Sequence, residues 1–381
     1  MKAFEVYPSE KKLIKDRVSG INVYQLTSYL GHSHHAYFTN NGWWDQNRRL
    51  VFCSDRCNAT NLFSIEIESG EISRLTDFPA NAKHTPRFSN DVNPTRPEIY
   101  YTLDNKLYAL ELETLKHRLL YTPPVGYNVH GGLVGADGKY VYSVIQEDLS
   151  DKIYANLSAS YIGMSEVFKA KPDSRIIKTD TETGSNEEIH QEYCWLGHVN
   201  PSPTKSNLIT FCHEGPWHMV DHRIWLLDVE KGEITKIRPR KVEGEQIGHE
   251  YWFSNGEQIG YQVHQPEGGS LFGYVRYDNT GEVEAPCVPL PSPDHIHSND
   301  FSLIVSDSGK SIKLYHYNGE GFDPARVLCM HDGSFFYGSH HPHPRFTADG
   351  KQILFNSNVS GYCNIYLADL PDDVTTLPFL E

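Results

Sequence analysis

Two short histidine pairs carry the most chemistry per residue in this chain. His341 and His343 stand two apart in HHPHPRF (340–346), and His295 and His297 stand two apart in HIHSND (295–300). On a β-strand that spacing sends both side chains to one face, where two imidazoles reach a single ion. Pro342 cannot donate a ladder hydrogen bond, which suits the start of a strand. Two such pairs on neighbouring segments would offer three or four nitrogen ligands to one divalent cation. The plainer alternative is a set of surface histidines in a chain that has 20 of them.

Two further stretches concentrate titratable groups. FCHEGPWHMVDHRIWLL (211–227) holds His213, Glu214, His218, Asp221, His222 and Arg223. The guanidinium of Arg223 has the planar fork that grips a carboxylate through two donors. Such a carboxylate would belong either to a ligand or to Asp221 or Glu214 of the chain itself. GEQIGHEYWFSNG (244–256) places His249 after Gly248, which admits a close approach. A histidine is the side chain most easily poised as a base near neutral pH; the other reading of His249 is a structural hydrogen-bonder. No pair of carboxylates at a glycosidase-like separation recurs among these segments, which fits elimination better than hydrolysis.

The elements that must position these groups are short strands in a repeat. His35, His84, His130, His198, His249, His295 and His341 follow one another at intervals of 49, 46, 68, 51, 46 and 46 residues. Most of them open a segment that leads into a hydrophobic strand. A period of 40–50 residues built from short strands is the signature of a β-propeller. The strand runs group into seven units, with Gly-containing turns such as ESGEI, ETGSN, EKGEI and NTGEV between strands. The expected fold is therefore all-β, a seven-bladed β-propeller occupying 1–381 as a single domain. The last unit lacks a fourth strand, and GINVYQLTS (20–28) has the pattern to supply it. That N-terminal strand would close the ring and leave no edge exposed. In a propeller the start of each innermost strand lines the central channel, so one histidine per blade would surround one cavity. The long interval after His130 marks an insertion at about 147–172, either a lid over a site or a surface excursion.

Composition narrows the partners. The net charge of −15 opposes nucleic acid, which needs a basic footprint, but leaves room for a small acidic ligand if arginine, histidine and a metal make the pocket locally positive. No apolar run is long enough to span a membrane, and the opening MKAFEVYPSEKK has no apolar secretory core. Seven cysteines, an odd number, read as free thiols in a reducing compartment. The expected location is cytoplasmic.

Several of these motifs occur together, in order. WLGH (195–198), FCHEGP with the following VDHRIWLL (211–227), GEQIGHEYW (244–252), the histidine ahead of Ser298-Asn299 and HPHPRFTADGKQILF (341–355) resemble the oligogalacturonate lyases. The resemblance runs over roughly 30–370, and FCHEGP with HPHP in tandem is specific to that family. It implies a seven-bladed propeller, a manganese-type divalent ion (Mn2+) and cleavage of short oligogalacturonides by β-elimination. It makes His295, His341 and His343 metal ligands, His249 the general base and Arg223 the substrate-binding arginine. His198 and His213 are the further candidates for substrate contact. The family's glutamine ligand, three residues before HPHP, is replaced here by Gly338, so His297, His340 or a water would take its place. The chain is thus expected to be a divergent member. The alternatives are a metal-dependent lyase or hydrolase on another uronic-acid oligosaccharide, and a non-catalytic propeller that binds a sugar or a protein.

Overall fold

The computed structural model describes residues 3–379, except 84, 86, 158–160, 288–294 and 335–339, and the backbone alone at 308. His84 and Gly338 therefore lie outside the described residues. The described residues form seven antiparallel sheets, divided between two compact units. One unit comprises the residues up to Ser9 with Leu30–Lys236, and the other comprises Glu10–Tyr29 with Ile237 to the end.

Four sheets make up the first unit. The opening sheet is built on Arg49–Ser54, Asn61–Glu66 and Ile72–Arg74, with Ser33–His34 on its inner side and Val6–Tyr7 on its outer side. The second runs through Asn90–Val92, Glu98–Leu103, Lys106–Glu111 and His117–Tyr121. The third joins Tyr127–Val134, Tyr140–Glu147, Asp173–Asp180 and Asn186–Tyr193. The fourth joins Leu196–Pro201, Leu208–His213, Ile224–Asp228 and Glu233–Lys236. Middle strands are covered on both faces, so they read as apolar runs without alternation: RLVFCS is buried from Leu50 to Ser54. Outer strands face solvent, and Glu233–Lys236 is exposed throughout. Tyr142, Val144 and Ile176 of the third sheet meet Leu196, Val199, Ile209, Phe211 and Leu227 of the fourth in one cluster. Seating one sheet on the next in this way buries apolar area at roughly 25 cal/mol per Å².

Three sheets make up the second unit. Gln246–Trp252, Gln258–His264, Ser270–Arg276 and Val283–Cys287 form one, and Ile296–His297, Leu303–Ser308, Ser311–His316 and Arg326–Met330 form the next. The last runs Arg345–Phe346, Gln352–Ser357, Asn364–Asp369 and then Asn22–Gln25 from the N-terminal segment. Val23, Tyr24 and Gln25 pair with Ala368, Leu367 and Tyr366, so the N-terminal strand expected within 20–28 occupies the fourth place. A fifth strand, Lys12–Lys15, lies outside it and was not expected. Its four residues are all exposed.

The insertion at 147–172 leaves the third sheet and carries a short helix, Met164–Ala170, before the chain re-enters it at Asp173. Phe168 of that helix lies against Gly215, which stands at φ +148°, and Ser165 reaches the sulfur of Met219 at 3.9 Å. The insertion is thereby docked on the FCHEGP segment, within the same unit. No helix is long and apolar enough to cross a membrane among the described residues.

Candidate functional site

Two of the candidate histidines sit where a regular strand has been interrupted. Register shifts fall between Gly197 and Asn200 and between Gly248 and Tyr251. They mark bulges, which kink a strand and re-aim one side chain. His198 and His249 lie inside them at φ +45° and +51°, and His343 stands at +48°. A left-handed backbone is uncommon for a non-glycine residue, though less so for histidine. It costs about 1–3 kcal/mol and persists only where the surroundings enforce it.

In the second unit four histidines converge. Ring centroids lie 5.0 Å apart for His249 and His295, 5.2 Å for His295 and His341, 4.3 Å for His295 and His343, and 5.7 Å for His341 and His343. One ring nitrogen from each of His295, His341 and His343 falls within 4.8 Å of the others. Asp307, fully buried, braces this set. Its carboxylate accepts the His295 backbone N–H at 2.7 Å and the His343 backbone N–H at 3.1 Å, and lies 3.3 Å from His295 Nδ1. Burial would raise the Asp307 carboxyl, but His295 outweighs it and the pKa is lowered. A buried carboxylate behind a ligating imidazole fixes its tautomer and adds negative charge. Three imidazoles with such a brace fit a divalent cation.

His249 stands beside this set and is held differently. Its Nδ1 lies 3.1 Å from Gln262 Oε1, and Gln262 is wholly buried. With Nδ1–H donating to that oxygen, the lone pair resides on Nε2. The two further ligand candidates are placed elsewhere. His297 lies stacked on Tyr251 at 5.4 Å, its Nδ1 accepts the Phe346 N–H at 3.4 Å, and burial drives its pKa well down. It is a neutral packing histidine. His340 Nδ1 lies 3.3 Å from the amide of Asn358. Neither is grouped with the three ligand candidates.

In the first unit Arg223 and His198 share one carboxylate. Arg223 Nη1 lies 3.2 Å from Glu214 Oε1, and His198 Nε2 lies 3.1 Å from Glu214 Oε2. The Gly215 N–H donates to Oε1 at 2.9 Å. Burial would raise the Glu214 carboxyl, but Arg223 and His198 hold it well below the usual carboxylate range. Arg223 also lies over the ring of Trp217 at 5.5 Å, and His198 over Tyr37 at 5.5 Å. His213 belongs to another group, 2.8 Å from Glu192 and over Trp225 at 4.8 Å. Of the recurrent histidines, His249, His295 and His341 meet within the second unit. In the first unit His130 is exposed, and His35 is buried but stands in neither carboxylate group.

Asp307, Gln262 and Glu192 did not stand out in the sequence. Asp307 occurs in SLIVSDSGK, where an aspartate ahead of Ser-Gly reads as a turn residue. Gln262 alternates within a strand like any polar residue. Only an acid inside a run that is otherwise fully buried could have marked Asp307.

The described sheets and the histidine cluster define a β-propeller with a candidate divalent-metal centre. A solved oligogalacturonate lyase in complex with manganese has the same fold, with a TM-score of 0.87 over 98% of this chain and 100% of that one at 24% identity. The fold is thus an all-β, seven-bladed propeller. The oligogalacturonide lyase of Pectobacterium atrosepticum is 27% identical over 94% of this chain and 96% of its own length. The oligogalacturonate lyase of Dickeya dadantii matches to the same extent, 27% over 94% and 96%. The family profile described as oligogalacturonate lyase matches residues 7–323. The chain belongs to the oligogalacturonate lyase family.

Proposed function

We propose that this protein is a metal-dependent lyase that cleaves short oligogalacturonides by β-elimination, leaving a 4,5-unsaturated uronate, in cytoplasmic pectin breakdown. The observation that carries the reading is the set of His295, His341 and His343, braced by Asp307, with His249 beside it on Gln262. Family membership supplies the substrate class. None of the seven cysteines is paired in a disulfide, which supports a reducing compartment, and the net charge of −15 speaks against nucleic acid.

The C5 proton of a uronide is adjacent to a carboxylate and weakly acidic. His295, His341 and His343 would hold a divalent cation of the manganese type, which when bound supplies positive charge for the substrate carboxylate. Arg223 would grip a substrate carboxylate, with Glu214 fixing its orientation from behind and His198 adding a polar contact. His249, held as the Nδ1–H tautomer, would accept the C5 proton on Nε2. The electron pair of the C5–H bond then forms the C4=C5 double bond, and the C4–O bond breaks with its pair on the leaving oxygen, which takes a proton from water. A well-placed base contributes about 10²–10⁴-fold, and each contact that strengthens with the developing negative charge about 3 kcal/mol.

The test is the ultraviolet absorbance of the conjugated product when the protein is incubated with digalacturonate and Mn2+. Absorbance that rises, and stops rising on addition of a chelator, is the expected result. Cleavage without a chromophore would make the enzyme a hydrolase, and no cleavage of any uronide would leave a binding propeller. His341→Ala should lose both the ion and the activity; full metal content in that variant would overturn the ligand assignment.

A further inference from the structure

The geometry points to a second cation site in the first unit, a zinc-type site built by Glu192, Cys194 and His213, with His190 as a fourth donor. The sequence places His190, Glu192 and Cys194 two apart, the first two on the strand Asn186–Tyr193 and the cysteine one residue past its end. Strand alternation sends His190 and Glu192 to one face. His213 comes to the same face from the end of the strand Leu208–His213. One donor atom each from Glu192, Cys194 and His213 lies within 4.8 Å of the others. His213 Nε2 and His190 Nε2 stand 2.8 and 3.0 Å from the two oxygens of Glu192. Both nitrogens are buried, yet neither is aligned for a hydrogen bond to that carboxylate. With bonds of about 2.0–2.3 Å, tetrahedral zinc needs donors about 3.3–3.8 Å apart. The two spacings to Glu192 open to that by a few tenths of an ångström.

The donor set selects the ion. A thiolate beside imidazole and carboxylate suits zinc and the softer transition metals, while manganese and magnesium prefer oxygen. The neighbouring group of His198, Cys212 and Glu214 is no rival, because Arg223 already sets a guanidinium against Glu214. An ion on Glu192, Cys194 and His213 would fasten the outer strand of the third sheet to the segment that carries Glu214 and Arg223.

Cobalt, which reports thiolate ligation by a charge-transfer band in the near ultraviolet, is the probe. His341→Ala protein, stripped with a chelator, is titrated with Co2+. One equivalent should bind with that band. Adding Cys194→Ser should abolish the band while leaving the circular dichroism spectrum unchanged. The wild type and Cys194→Ser alone should differ by the same single equivalent, which keeps the test valid if His341→Ala folds poorly. No band with one cysteine intact at 194, or a band that survives Cys194→Ser, overturns the site.

Discussion

Of the three histidines in left-handed conformation, His343 is braced by Asp307, His249 by Gln262 and His198 by Glu214. His249 is the residue whose removal should separate binding from chemistry. His249→Ala should keep the metal content near wild type and lower kcat by at least ~10². Loss of metal together with activity would make His249 a ligand instead. Arg223 poses a sharper choice, because the structure shows it against Glu214 at 3.2 Å. If it also grips substrate, Arg223→Lys should raise KM and lower kcat together, since an ammonium lacks the planar pair of donors. A role confined to the Glu214 ion pair predicts a lower Tm with unchanged kinetics per folded molecule, so both quantities are measured on the one variant. The candidate ligands were legible as His-x-His pairs but not through a shared strand face: His341 and His343 precede the strand Arg345–Phe346, with His343 at φ +48°, and His297 is stacked on Tyr251 instead of joining His295. Their braces were illegible: Asp307 and Gln262 matter only through partners reached by folding, at His295, His343 and His249.

At the scale of elements, strands covered on both faces announced themselves through long apolar runs, and the seven units followed from their repetition. The elements that escaped notice are those with little burial. Lys12–Lys15 is fully exposed, and Val6–Tyr7 has only two residues, paired with Ile72 and Ser73. The helix Met164–Ala170 is too short for its period to show and buries only Val167. Its docking rests on Gly215, where an added Cβ would stand 2.5 Å from Phe168 Cδ2 at a backbone φ of +148°. Gly215→Ala should therefore displace the helix and cost about 1–3 kcal/mol. Thermal denaturation checks it. Phe168→Ala in the same background should restore part of the lost stability by removing the clash, and failure to do so would place the strain elsewhere.

At the scale of the whole molecule, acidity is the main control on stability that the titrating groups define. The folded pKa of His213 lies above its ordinary 6.5, at about 9. Its contribution is full below 6.5 and is lost as pH rises through 9. The folded pKa of Glu192 lies below its ordinary 4.5, at about 2. Its contribution is full above 4.5 and is lost as pH falls through 2. Both contributions are full between about 4.5 and 6.5, but the buried His297 and His331, whose pKa is lowered, cost stability as pH falls below 6.5, so the optimum lies near 6.5, with a decline on the alkaline side before any lysine titrates. Tm measured across pH in metal-free protein should show it, and His213→Gln should flatten the alkaline limb. An unchanged limb in that variant would assign the decline to another group.

The pairing of Val23–Gln25 with Tyr366–Ala368 joins the beginning of the chain to its end. On the ribosome, at about 5–20 residues per second, the first of these strands is made on the order of tens of seconds before its partner exists. Through that interval the hairpin of Lys12–Lys15 and Asn22–Gln25 keeps one edge without its final partner. Lys12 and Lys15 flank the neighbouring strand and discourage pairing with a stranger. A message cut short before codon 364 would release a product in which that wait never ends, and such a product should be a substrate for proteolysis rather than an enzyme.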